Sequence, residues 1–116
     1  MLRFELADNE DSWRTGLMFR KHLPEDAGML FKFRRPQVLK FWGLNTYIPL
    51  DIAFVDDNNT IIKIGRIKDM SMQTVSSEKN CVSVIEANDG YFSENGIKMG
   101  HRIEVDNKNN IIKFIK

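Results

Sequence analysis

Leu2-Arg3-Phe4-Glu5-Leu6 alternates apolar and polar positions, the period of a half-buried strand. The same period returns at Met29, Phe31 and Phe33, and Arg34-Arg35-Pro36 interrupts it, so a second strand is expected to stop there. Between the two, Asp8 or Asn9 can cap a helix whose first turn carries Glu10 and Asp11, with Trp13, Leu17 and Met18 recurring on one helical face. The spacing predicts a helix over roughly residues 10–21. Gly16 weakens it, and Pro24, which lacks a backbone donor, marks its end.

From Val38 onward the pattern is nearly all strand. Apolar runs at Val38–Trp42 and Leu50–Val55 flank an irregular Asn45-Thr46 segment, and Pro49 would be awkward inside a central strand. Asp56-Asp57-Asn58-Asn59 is a turn signal between two apolar runs, which predicts a hairpin over 50–67. Residues 68–80 are polar without a clear period and read as a long loop. Cys81–Ala87 returns to strand, Asn88-Asp89-Gly90 turns, and Tyr91–Asn95 predicts a short helix closed by a left-handed Gly96. Arg102–Val105 and Ile111–Ile115, joined through residues 106–110, complete a second hairpin. The expected architecture is mainly β: a single compact β-sandwich or barrel-like domain over residues 1–116, mostly antiparallel, with one or two short helices. Phe31, Trp42 and Phe54 are its expected core aromatics.

Composition narrows the function classes. The chain has 116 residues, 42% hydrophobic and 28% charged, which suits one folded domain and excludes a disordered tail, a collagen-like rod or a coiled coil. Its net charge is +1, with 8 basic and 9 acidic residues in positions 1–58 against 9 and 7 in the remainder. Bulk attraction to nucleic acid or an anionic membrane is not indicated. No stretch approaches the ~20 apolar residues of a membrane span, and the first residues lack the basic start and apolar run of a signal peptide, so a cytoplasmic location is expected. A lone cysteine, Cys81, forms no intramolecular disulfide. With only His22 and His101 beside it, it makes a poor metal set, so neither metal nor cofactor is expected.

Several residues together resemble a known family. Arg14-Thr15-Gly16-Leu17-Met18-Phe19-Arg20, Leu23, Gly28-Met29-Leu30-Phe31, Phe41-Trp42, Asn45-Thr46, Pro49-Leu50-Asp51 and Phe54 stand in the order and spacing of the domain of unknown function 192 family. Glu86, Gly90, Gly96-Ile97 and Gly100 extend the match over almost the whole chain. The resemblance implies a small all-β, sandwich-like or barrel-like fold and no established activity. Two positions depart from the family pattern. Gly43-Leu44 stands where Met-Lys is usual between Trp42 and Asn45, and His101 stands where Asp commonly follows the glycine.

No motif names a reaction. Gly96-Ile97-Lys98-Met99-Gly100 lacks the spacing and the Lys-Ser/Thr of a phosphate loop, and no serine sits in a nucleophile elbow. The Met and Phe residues around Gly16 and Gly28 read first as core filling. Lys32, Arg34, Arg35 and Lys40, interleaved with Phe33, Phe41 and Trp42, could grip single-stranded nucleic acid across residues 32–40. A charged, solvated strand edge accounts for the same residues more simply. The best candidate site is the set of polar residues embedded in apolar sequence: Arg20, Trp42, Asn45, Thr46, Asp51 and Glu86. Asn45 and Thr46 lie where an irregular backbone can open side chains into a cleft. The favoured reading is a noncatalytic binding or accessory module for a small molecule or peptide, with its cleft near Asn45 and Trp42. The alternative is a small acid/base enzyme using Asp51 and Glu86, which requires the fold to bring those carboxyls together.

Overall fold

The computed structural model describes residues 1–116 and arranges them as β1 (Leu2–Ala7), α1 (Glu10–Thr15), β2 (Ala27–Gln37), β3 (Lys40–Phe41), β4 (Leu50–Val55), β5 (Ile61–Ile67), β6 (Val75–Ser76), β7 (Cys81–Asn88), α2 (Tyr91–Glu94), β8 (Arg102–Asp106) and β9 (Ile111–Ile115). Seven strands form one sheet in the order β5-β4-β7-β2-β1-β9-β8, while β3 and β6 pair as a separate ribbon. Only the β1–β2 pair is parallel. The sheet curls into a half-barrel until its edges meet at one corner, where Thr60 bridges Arg102 and the Ile61 N–H donates to the His101 carbonyl. The mainly β, barrel-like expectation with two short helices therefore holds.

Alternation along the strands builds two cores back to back. Leu30, Ala53, Ile85 and Ala87 point to the concave face, where Tyr91 and Phe92 of α2 pack on them. Met29, Phe31, Ile52, Phe54 and Val84 point to the convex face, and Leu17, Leu23 and Leu39 cover them from the connecting segments. Phe31 and Phe54 are buried as expected. Trp42 is not a core residue: it is 43% exposed, because β3 is only two residues long and the chain turns away at Gly43.

Local signals account for three further differences from the sequence expectations. The helix is shorter than 10–21. Asn9 and Ser12 close a capping box, but Gly16 adopts φ +47°, a region that β-carbon sterics deny most residues, and the helix ends there rather than near Pro24. Strand β2 runs through Arg34-Arg35-Pro36 instead of stopping. Its pairing with β7 skips from Lys32↔Ser83 to Gln37↔Cys81, and β1 has already ended opposite Phe31, so the missing proline N–H breaks no ladder bond. The 68–80 segment is mostly irregular, yet Val75-Ser76 finds a distant partner in Lys40-Phe41. The turns behave as read: Asp56 Oδ1 accepts from the Asn58 and Thr60 N–H groups, and Gly96 takes φ +67°. His101 ties down its own turn, its Nδ1 accepting from the Lys98 N–H at 3.0 Å.

Candidate functional site

The convex core is incompletely covered. Between α1, the β3 segment and the Leu44–Thr46 turn lies a cavity of about 540 Å³, walled by Trp13, Phe31, Phe33, Phe41 and Trp42. This volume lies within the usual range of small-ligand pockets. Leu44 contributes a further apolar wall. The turn that carries it presses tightly against the 68–71 segment: a β-carbon on Gly43 would stand 2.0 Å from the Lys68 carbonyl oxygen, so this packing admits only glycine.

Glu86 also lines this cavity. It sits on β7 in register with Ile52 and Met29, which places its side chain among the apolar residues of the convex face. The residue is 4% exposed, and no hydrogen bond or ion pair reaches its carboxyl. Burial alone pushes its pKa up to about 8, because nothing nearby compensates the charged form for lost water.

Asp51 is the other carboxylate in the sequence-derived set, and the structure separates it from Glu86. Asp51 pairs with Ala87 rather than with Glu86, so it faces the concave side of the same sheet. Its two oxygens accept from the Gly90 and Phe92 N–H groups at 3.0 and 3.1 Å, fixing the turn into α2. An acid/base pair of Asp51 and Glu86 would have to work through the sheet, which corrects that alternative. Arg20 lies outside the cavity as well. It forms a bidentate ion pair with Glu5 of β1, and Glu5 stands in the same cross-strand row as Glu86 with Met29 between them. Two strand spacings put it roughly 10 Å away.

Trp42, Asn45 and Thr46 do line the cavity with Glu86. Thr46 is buried and spends its hydroxyl on the Leu44 carbonyl at 3.3 Å, whereas the half-buried Asn45 amide has no side-chain bond. Asn45 takes φ +57°, and Phe19 and Met70 take φ +66° and +57°. All three are joined to this wall by backbone bonds, the Phe19 N–H to the Asn45 carbonyl and the Met70 N–H to the Thr46 carbonyl. Left-handed residues other than glycine cost energy, and here they gather at one place. Sequence reasoning did not find Trp13 as a cavity wall. Its indole N–H donates to the carbonyls of Ala7 and Lys32, and its ring stacks on Phe33 at 4.7 Å.

The basic segment behaves as a strand edge. Lys32, Arg34, Arg35 and Lys40 are exposed, but Phe33 is stacked on Trp13 and Phe41 packs edge-on against Phe31 and Phe54. The two phenylalanines that base stacking would need are thus occupied by other rings. No three His, Cys, Asp or Glu side chains gather anywhere in the molecule, and no helix is long and apolar enough to cross a membrane.

Comparison with known proteins agrees with this architecture. The family model DUF192, described as "Uncharacterized ACR", matches residues 1–105. A crystal structure from Sinorhizobium meliloti 1021, described as a "putative transcription regulator", is 34% identical with a TM-score of 0.87, over 89% of this chain and 81% of that one. A protein of unknown function from Novosphingobium aromaticivorans DSM 12444 is 34% identical with a TM-score of 0.86, over 89% of this chain and 74% of the other. No curated protein matches the chain.

Proposed function

We propose, for a chain that belongs to the DUF192 family, that it is a noncatalytic binding module whose convex-face cavity takes a small organic molecule or a single side chain of a peptide. The observation that carries this reading is Glu86: a carboxyl 4% exposed, without an internal partner, facing a space of about 540 Å³ among aromatic walls. No polar side-chain atom in the molecule is both enclosed and unpartnered, so the Glu86 oxygens open onto this space, and a carboxyl so poor in partners is held at some cost. A fold that needed only stability would do better with Leu or Met at this position. The strained residues joined to the Asn45–Thr46 wall support the same reading, since such strain concentrates where a binding surface is held in shape. General acid/base catalysis wants two titratable groups facing one volume, and Asp51 and Glu86 do not share one. A role in nucleic-acid binding is not carried over from the relative described as a transcription regulator. The chain is nearly neutral, and the two phenylalanines of its basic segment are engaged in packing.

Both tryptophans of the chain line the cavity, so intrinsic fluorescence reports on it directly. Titration with 2-phenylethanol, an apolar body with one polar end, is expected to change that fluorescence saturably. The Trp42→Ala variant should bind it less tightly while remaining folded. A linear, non-saturating response of the parent protein to this probe and to its amine and carboxylate counterparts alike would remove the reading.

A further inference from the structure

The cavity's hydrogen-bonding inventory is lopsided. Its buried and half-buried indole and hydroxyl donors are of little use to a ligand: the Trp13 N–H is spent on two backbone carbonyls and the Thr46 hydroxyl on a third, while the unbonded Trp42 N–H and the Thr15 hydroxyl belong to exposed residues. Arg14 and Lys40 line the space but are exposed, and Arg14 lies 3.9 Å from Asp11, so both charges are screened by water. What remains in the interior is one carboxyl, the half-buried Asn45 amide, and ring faces that carry negative potential. Trp42 packs against no other aromatic ring and is 43% exposed.

Three kinds of ligand head can be weighed against that inventory. An anion would give up water to face a carboxyl and ring faces, with no buried cation to receive it. A neutral head gains one ordinary hydrogen bond. A cation gains a charge-assisted bond, roughly twice as strong, and attraction to the ring faces as well. Resting on the binding reading above, we infer that the ligand of this cavity is an apolar amine, its ammonium group set against the Glu86 carboxylate and its body held by the aromatic walls.

Binding of this kind moves a proton. Glu86 holds one near neutral pH, and pairing with an ammonium requires it to be released to solvent. Amine affinity therefore rises with pH until Glu86 is ionised. The other charged groups on this face are Arg14 and Lys40 in the lining, the Glu5–Arg20 pair on the β1 side, and Lys63 of β5, which is held by the Ser76 carbonyl and Glu78. The Arg20 guanidinium holds Glu5 below the usual carboxylate range.

The test compares 2-phenylethylamine, 2-phenylethanol and 3-phenylpropionate by tryptophan fluorescence and calorimetry on the full chain. At about pH 8.5, where an alkyl ammonium is still charged, the amine should bind about tenfold or more tighter than the alcohol, and the propionate weakest. Amine affinity should climb between about pH 6.5 and about pH 8.5 with proton release, while alcohol affinity does not. Glu86→Gln should bring the amine down to the alcohol's level. Equal affinities of amine and alcohol, preference for the propionate, or a flat pH profile for the amine in the parent protein would each overturn the inference while leaving the binding reading in place. Binding by none of the three would overturn both.

Discussion

The two faces of the sheet treat a buried carboxylate in opposite ways. On the concave face Asp51, although it too borders a cavity, is answered by two backbone N–H groups at the turn into α2. On the convex face Glu86, one residue away in cross-strand register, has no hydrogen-bonding partner and borders open volume. The same sheet thus carries one carboxylate tied to the backbone and one without a hydrogen-bonding partner. The difference teaches where to look for function: the polar group that the fold satisfies belongs to the fold, and the one left unsatisfied waits for something else.

Truncating an aromatic on each face should separate the two most widely. Phe92→Ala removes a ring that is 1% exposed and should cost about 3–5 kcal/mol through lost transfer energy and a new cavity. Trp42→Ala, at a residue 43% exposed, should cost about 1 kcal/mol or less. Urea unfolding of the pair checks this, and equal losses would erase the contrast between a buried ring and a half-exposed one.

A smaller effect distinguishes the carboxylates themselves. Asp51→Ala strands the Gly90 and Phe92 N–H groups and should cost about 2–4 kcal/mol. Glu86→Gln should instead leave stability unchanged at low pH and raise it near pH 8. The sign follows from proton binding. With a folded pKa of about 8 against an ordinary 4.5, the native state holds a proton that the unfolded chain has lost, so stability from this group is full below 4.5 and declines until about 8. The decline is on the order of a few kcal/mol and shrinks to the extent that water in the cavity reaches the carboxyl. Unfolding curves across that window should slope downward for the parent and flatten for the glutamine variant.

The smallest expected change sharpens the picture of strain at the open face. Met70 is 52% exposed with φ +57°, and Met70→Gly should stabilise the protein by roughly 0.5–1 kcal/mol. A loss of stability on thermal melting would mean that the Met70 side chain contributes more than its backbone costs.

Much of the fold was legible because strand alternation and turn chemistry are local. The Asp56 turn, the left-handed Gly96 and the two hairpins are written in consecutive residues. What escaped was non-local. Nothing within Val75-Ser76 announces Lys40-Phe41 as its partner, and Pro36 reads as a strand breaker until one sees that the neighbouring strand has already ended. For the site, Trp42, Asn45, Thr46 and Glu86 could be named as polar or irregular positions in apolar surroundings. Their grouping, and the assignment of Asp51 to the other face, depend on the β4–β7 register, where a shift of one residue would exchange the two carboxylates.

The placement of β1 bears on how the molecule is made. Its Leu2 pairs with Ile112 on one side while Phe4 pairs with Gly28 on the other, so β1 is flanked by a strand that is synthesised about a hundred residues after it. A nascent chain can assemble the β2-β7-β4-β5 portion early, but β1 keeps an open edge until the β8–β9 hairpin emerges. Contacts between such distant residues close slowly. Synthesis of this protein therefore passes through a stage in which a strand edge is exposed to neighbouring chains, and protection during that interval falls to chaperones or to fast completion of translation.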